Sequence, residues 1–247
     1  MVSAKDIIVK PIKSSIANEF VKKHHYSGKI VPMSKLHFGC FINNTLGGVM
    51  SFGPSMDARK SLGLVKNTAF YDYLELNRMA FGDLLPRNSE SRCISIAIRL
   101  IKKHYPNVRW ILSYADGCQC GDGTIYRASG FKLTGINKNS SMWRLPNGDV
   151  VCCILFDPGF GANKKENSLA IKMGKVGEYA TWSSSRYLKH IGATRLPGFQ
   201  LRYIYFIDKT AEKDLTVPII PFSKIEEVGA KMYKGMRWST VKAETNL

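Results

Sequence analysis

Hydrophobic residues along the chain switch between two spacings, and the switches mark the elements. Asp6 to Ile12 alternates as a short strand, and Ser14 to His24 then carries Ile16, Phe20 and Val21 at helical spacing. The run His24-His25-Tyr26-Ser27-Gly28 ends that helix, with Gly28 as its stop. Leu36 to Phe41 and Gly48 to Phe52 flank Asn43-Asn44 and read as a hairpin. Asp72 to Phe81 alternates as another strand. Tyr73, Glu75 and Asn77 fall on one face, and Leu74, Leu76 and Arg78 on the other.

Asn88-Ser89-Glu90-Ser91 has the cap-type side chains and early acid of a helix start. That helix runs to about His104, where Pro106 blocks it; Ile94, Ala97, Ile98 and Ile101 form its apolar stripe. Val108 to Tyr114 is a core strand ending in Ala115-Asp116-Gly117. Thr124 to Ser129 is a short helix closed by Gly130. Phe131 to Thr134 and Val150 to Phe156 read as two further strands. This order predicts an α/β fold around one mixed sheet. The glycine-rich stretch from Gly159 marks a boundary between a domain of residues 1–158 and an extension of residues 159–247. The extension holds Arg186 to His190, an aromatic strand Gln200 to Asp208, and a basic end, and packs on the core or contacts DNA.

Charge sharpens the picture. The chain of 247 residues carries a formal +17, with +10 in residues 1–160 and +7 in residues 161–247. A surplus of that size points to a polyanionic partner, nucleic acid before a membrane surface. Arg99, Lys102 and Lys103 on the outer face of the main helix, with Arg186 and Lys189 in the extension, are the candidate DNA contacts. Six cysteines lack the spacing of a zinc knuckle, and no apolar leader or membrane-length run is present, so cytoplasmic residence with reduced thiols is expected.

Several residues could carry chemistry. His25 and Tyr26 are proton-capable groups at an exposed helix end. Asp116 follows an apolar strand, at the sheet end where α/β sites gather; an Asx turn would place an acid there equally well. Arg78 needs a carboxylate, such as Glu75 or Asp116, or an external anion. Arg87, Ser89, Ser91 and Arg92 surround a helix N-terminus suited to phosphate, although ordinary capping has the same look. Tyr126, in a short helix after Gly121-Asp122-Gly123, could donate a proton or simply pack.

The segment "GTIYRASGFKLTG" resembles the tyrosine-bearing helix and following strand of GCN5-related N-acetyltransferases, the GNAT fold. More specifically, "HHYSGK", "LHFG", "LGGVMSFG", "LELNRMAF", "PRNSESR", "AIRLIKKHYPNVRWILSYADG" and "CGDGTIYRASGF", in that order, resemble phage and prophage Mom-type DNA modification proteins. The likeness covers roughly Lys22 to Leu155, and some relatives share "LPGFQLRYIYF" and "VPIIPFSKI". It implies a GNAT-like mixed central sheet flanked by helices. It also implies conversion of adenine in double-stranded phage DNA to N6-carbamoylmethyladenine, which shields the DNA from host restriction. The base would be flipped out and the group would come from a small-molecule donor. His25, Tyr26, Arg78 and Asp116 then become the catalytic positions, with Tyr126 added from the wider GNAT pattern. Classical GNAT enzymes hold acetyl-CoA through a glycine-rich loop; here that loop reads Leu84-Leu85-Pro86-Arg87-Asn88-Ser89. The family is also associated with iron, for which His24, His25 and Asp116 are suitable ligand types whose spacing defines no site. Two alternatives stay open: a non-catalytic phage DNA-binding protein, disfavoured by the lack of a helix-turn-helix signature, and a GNAT enzyme acetylating a protein or small amine.

Overall fold

A computed structural model of the chain describes residues 3–55, 57–118, 121–157, 169–233 and 236–237. Its elements in chain order are β1 (Ile8–Pro11), α1 (Ser14–His24), β2 (Leu36–Ile42), β3 (Thr45–Gly53), α2 (Ala58–Leu62), β4 (Tyr73–Phe81), α3 (Ser89–His104), β5 (Trp110–Asp116), α4 (Thr124–Ala128), β6 (Lys132–Lys138), β7 (Met142–Arg144), β8 (Val150–Cys152), α5 (Leu169–Lys172), α6 (Ser184–His190), β9 (Thr194–Arg195), β10 (Phe199–Phe206) and α7 (Ser223–Glu227).

The chain divides into two compact units, residues 1–136 with 200–247, and residues 137–199. This differs from the expected boundary after residue 158, which itself adjoins residues outside the description. The aromatic strand assigned to an extension is β10, and it lies within the main sheet between β5 and β6.

The first unit holds a seven-stranded mixed sheet in the order β1-β2-β3-β4-β5-β10-β6. It is the α/β sheet with flanking helices that the hydrophobic pattern predicts. Asn43 and Asn44, both at positive φ, close the β2–β3 hairpin. The two faces of this sheet are covered by different helices. Val49 and Ala80 pack against Ala17 and Val21 of α1. Cys40, on the opposite face of β2, meets Cys93 of α3. Helix α3 buries Cys93, Ile94, Ala97, Ile98 and Ile101, the stripe read from its 3.6-residue period. At roughly 2 kcal/mol per buried aliphatic side chain, that stripe anchors the helix. In α1 the buried residues are Ala17 and Val21, whereas Ile16 is exposed.

The second unit carries a small sheet in the order β8-β7-β9 over a core of Trp143, Leu145, Phe156, Tyr187 and Leu188. The strand expected over Val150 to Phe156 ends at Cys152, and Cys153–Phe156 is a 3-10 turn. Among the described residues no helix is long and apolar enough to cross a membrane.

Candidate active site

A one-residue irregularity in β4 organises the site. Ser51 of β3 pairs with Arg78 and the next residue, Phe52, pairs with Leu76, so Asn77 is an extra residue, a β-bulge. Strict alternation places Arg78 with Leu74 and Leu76. The bulge moves it instead onto the face that carries Glu75, and with them Ser51, toward α1. The parallel ladder between β4 and β5 ends at Glu75–Leu112, which leaves the rest of the two strands unpaired with each other.

Each side chain around that opening is held by neighbours. Asn77 Oδ1 accepts from Ser34 Oγ at 2.9 Å, and its Nδ2 donates to the Pro54 carbonyl at 3.2 Å. Gly53 permits the close approach of this loop, since a Cβ there would lie 2.8 Å from the Met33 carbonyl oxygen and from Ser34 Cα. Arg78 Nε donates to the Lys29 carbonyl at 2.8 Å and Nη1 to the Asn77 carbonyl at 2.7 Å. His37, from the "LHFG" segment, is buried beside this, with Nδ1 2.8 Å from Ser51 Oγ.

His25 Nδ1 accepts the Ser27 backbone N–H at 3.1 Å and lies 2.8 Å from Ser27 Oγ. Burial, helped by the Arg78 charge, holds its pKa down to about 4. The ring is therefore neutral at pH 7, and the commitment of Nδ1 as acceptor leaves the proton on Nε2. Tyr26 is 51% exposed, its ring 4.2 Å from that of His25. The Tyr26 side chain hydrogen-bonds the Asp116 carboxylate. Asp116 Oδ1 also accepts from the Cys118 backbone N–H at 3.0 Å, so the Asx turn and the site contact coexist. Burial raises the Asp116 pKa, while the hydrogen bonds from Cys118 and Tyr26 oppose that shift. Glu75 is raised by burial against the pull of Ser55, Asn77 and Arg78. Tyr114, on the next strand, is pushed up to about 12 chiefly by burial and then by Glu75. The outcome is a partly desolvated cluster with two acids, a neutral imidazole, two phenols and one guanidinium.

Beyond the end of β4, a groove of about 420 Å³ opens at the start of α3, lined in part by Arg87, Asn88, Ser91 and Thr124. The capping expected of Asn88 does not occur: it sits at φ 69 with no side-chain cap bond. Ser89 is buried with its hydroxyl on the Pro86 carbonyl. Arg92 donates to the Lys5 carbonyl at 3.1 Å and, with Arg99, lines an adjoining groove of about 400 Å³.

The profile of the Mom protein family matches residues 6–224. The chain belongs to the Mom protein family. It is 34% identical over 218 residues to the methylcarbamoylase Mom of Escherichia phage Mu, covering 87% of this chain and 82% of that protein. Among solved structures, the spermidine/spermine N-acetyltransferase SpeG from Vibrio cholerae aligns at TM-score 0.45 and 8% identity, over 85% of this chain and 98% of that one. A Bacillus acetyltransferase in complex with CoA aligns at TM-score 0.41 and 11% identity, over 81% and 97%.

Within this Mom-family chain, His25, Tyr26, Arg78 and Asp116 come together, as their motifs lead one to expect. Tyr126 is only 8% exposed, and its ring packs 5.3 Å from Tyr203 and 5.5 Å from Phe131. The proposed ligands for iron do not fit a metal: His24 stacks on Phe20 at 4.2 Å, His25 Nδ1 is taken by Ser27, and no group of three ligand side chains exists among the described residues. Arg99, Lys102 and Lys103 are exposed, but on α3, across the sheet from Arg78. Lys102 is also about 20 Å along the helix from Ser89 at 1.5 Å per residue. Arg186 is exposed in the second unit and stacks on Trp182 at 3.7 Å, with exposed Lys189 in the same helix. Sequence reasoning named Glu75 only as a carboxylate that could pair with Arg78, and it missed Tyr114 as a member of the cluster. It also missed a basic rim of exposed Lys22, Lys23, Lys29 and Lys35 flanking Tyr26 in sequence. The rim could have been found by counting lysines around the "HHYSGK" motif.

Proposed function

We propose that this chain transfers a carbamoylmethyl group to the N6 amine of adenine in DNA, and that the modification shields phage DNA from restriction. The Tyr26–Asp116 hydrogen bond, beside Arg78 at the β4–β5 opening, is the observation that carries this reading. Family membership and the likeness to the phage Mu methylcarbamoylase support the substrate class.

Adenine N6 is weakly nucleophilic and is paired inside a duplex, so the base must leave the stack. Half-exposed Tyr26 offers a ring on which an extruded purine can stack, a contact worth about 1–3 kcal/mol. The N6 nitrogen attacks the methylene carbon of an activated carbamoylmethyl donor. The bond from that carbon to its leaving group breaks, and the leaving group keeps the electron pair. The N6 proton passes to Asp116, directly or through the Tyr26 hydroxyl. A carboxylate whose pKa is raised by burial is closer to the working pH, which favours proton transfer. His25 contributes a neutral Nε2–H donor, and Arg78 orients the donor by hydrogen bonds. The donor's remaining part lies in the groove at the start of α3. There the N–H groups of Glu90 and Ser91 have no helical acceptor. It reaches Asp116 through the opening between the strands. The iron implied by the resemblance takes no step here, since the side chains do not gather to hold it.

Nucleoside mass spectrometry of DNA from cells expressing the chain tests this function. N6-carbamoylmethyladenine is expected. Ordinary nucleosides alone, from cells containing folded protein, would defeat the proposal.

A further inference from the structure

The Asn77 bulge places two opposite charges, Glu75 and Arg78, on one face of β4. Each feels the other's field, yet no ion pair within 4.0 Å joins them. The reason is that each is drawn elsewhere. Arg78 spends Nε on the Lys29 carbonyl and one Nη1 hydrogen on the Asn77 carbonyl. Glu75 has Ser55 and Asn77 as its polar neighbours and remains partly exposed at the opening. A guanidinium has five N–H groups and a carboxylate about four acceptor positions, so donors remain on one side and acceptors on the other.

We propose that Glu75 and Arg78 form a subsite for a primary amide, the carbamoyl end of the transferred group; the assignment rests on the carbamoylmethyl reading above. Arg78 Nη2 donates to the amide carbonyl, and the Glu75 carboxylate accepts from the amide N–H. Both polar ends of the ligand are then paired within a partly desolvated cleft. The same arrangement acts against a carboxymethyl group. An acid has no N–H for Glu75, and its second oxygen would face the Glu75 carboxylate. Specificity for amide over acid thus comes from one repulsive element added to one attractive one. A site built around a donor on its ligand discriminates strongly against the analogue that lacks it. Arg78 alone, without an acid beside it, would favour the carboxylate.

Saturation-transfer NMR on the full chain, with acetamide and acetate as separate probes, tests the subsite without needing turnover. The native protein is expected to give at least threefold more transfer to acetamide than to acetate. Glu75→Gln, which keeps the shape and removes the charge, should bring that ratio to about one or invert it while the melting temperature holds. Equal transfer to both probes, or to neither, in the native protein overturns the subsite. An unchanged preference in Glu75→Gln also overturns it. Should Glu75→Gln melt early, Glu75→Asp is read instead, with a reduced preference expected from its shorter reach and an unaltered one refuting the assignment. Failure of the wider function is separable. Amide preference in a protein that leaves cellular adenine unmodified would remove the enzymatic reading alone, and modified adenine without amide preference would remove the subsite alone.

Discussion

Replacing Asp116 by Asn separates chemistry from architecture, because the residue does both jobs. Its Oδ1 accepts the Cys118 N–H at 3.0 Å, a bond that an Asn carbonyl oxygen makes equally well. The turn should therefore survive, and stability should change by less than about 1 kcal/mol. Any change should be toward greater stability, since burial disfavours the charged carboxylate and Asn carries no charge. Asn has no proton-accepting carboxylate to offer N6. Loss of a positioned general base costs about 100- to 10,000-fold in rate. The pH dependence gives a second handle. A raised carboxyl pKa means that the folded protein holds the proton to higher pH than the unfolded chain. The native rate should thus climb with pH through the raised value and then level, and Asp116→Asn should flatten that limb in whatever activity remains. The assays are thermal melting, DNA affinity and modified-adenine yield on one preparation. Near-native yield would remove Asp116 from the mechanism. Lost yield together with a collapsed melting temperature would assign it to the fold.

Three further outcomes are expected. His25 has its pKa lowered from 6.5 to about 4, so the unfolded chain binds the extra proton first as pH falls. Stability should be complete above about pH 6.5 and drop by at most about 3 kcal/mol by pH 4, about half that after solvent screening; an identical pH profile for His25→Asn in urea titrations would contradict this. Gly53→Ala forces a Cβ to within 2.8 Å of backbone at Met33 and Ser34. It should cost about 1–3 kcal/mol and lower yield by displacing Asn77, and a native melting temperature with native yield would show that the loop gives freely. Lys23→Ala/Lys35→Ala should lower the salt slope of DNA binding by about 0.9 for each phosphate no longer neutralised, with a smaller effect from Lys102→Ala/Lys103→Ala; the reverse order would lay the duplex along α3.

Much of the fold can be read from local pattern, and particular residues show why the rest cannot. Helix α1 spans Ser14–His24 as its period predicts, although its C-cap is His25 and not the expected Gly28, and the hairpin turns at Asn43-Asn44, where the side chains tolerate positive φ. These are short-range signals. Strand β10 defeats such reading because its place beside β5 is decided by partners some ninety residues away, such as Tyr203 against Ser113. Its aromatic alternation marks a strand but says nothing of which sheet it joins. Strands β7 and β9 have three and two residues, too few for any period to register. At the site, the motifs identify His25, Tyr26, Arg78 and Asp116. Glu75 lies in the same motif as Arg78, but simple alternation puts the two across the strand from each other, so their common face is not legible. The bulge that unites them depends on Ser34 and Pro54 holding Asn77, contacts that cross the loop and leave no periodic trace.

The same bulge explains how one strand can serve two tasks. Were the same sequence to pair regularly, with Asn77 taking a place in the ladder, Arg78 would project toward the face that packs on α3, among Leu74 and Leu76, where a buried guanidinium lacking partners would be strongly unfavourable. With the bulge, Arg78 reaches the Lys29 carbonyl on the α1 side, while Leu76 stays buried. Asn77 fills the position between, its amide satisfied on both ends, so the irregularity leaves no unpaired polar group of its own. The ladder to β5 stops one residue before Leu76, so the bulge and the opening occur together. With the donor in the groove at the start of α3 and the duplex beside Tyr26, as proposed above, a small donor and a large duplex need not compete for one surface. It also follows that deleting Asn77 should restore regular alternation with Arg78 still opposite Ser51 and on the face of Glu75, so that the charges keep their side of the sheet while the Ser34 and Pro54 contacts that anchor the strand are lost; a fall in modified-adenine yield in that variant would then report the anchoring of the site and not the facing of Arg78.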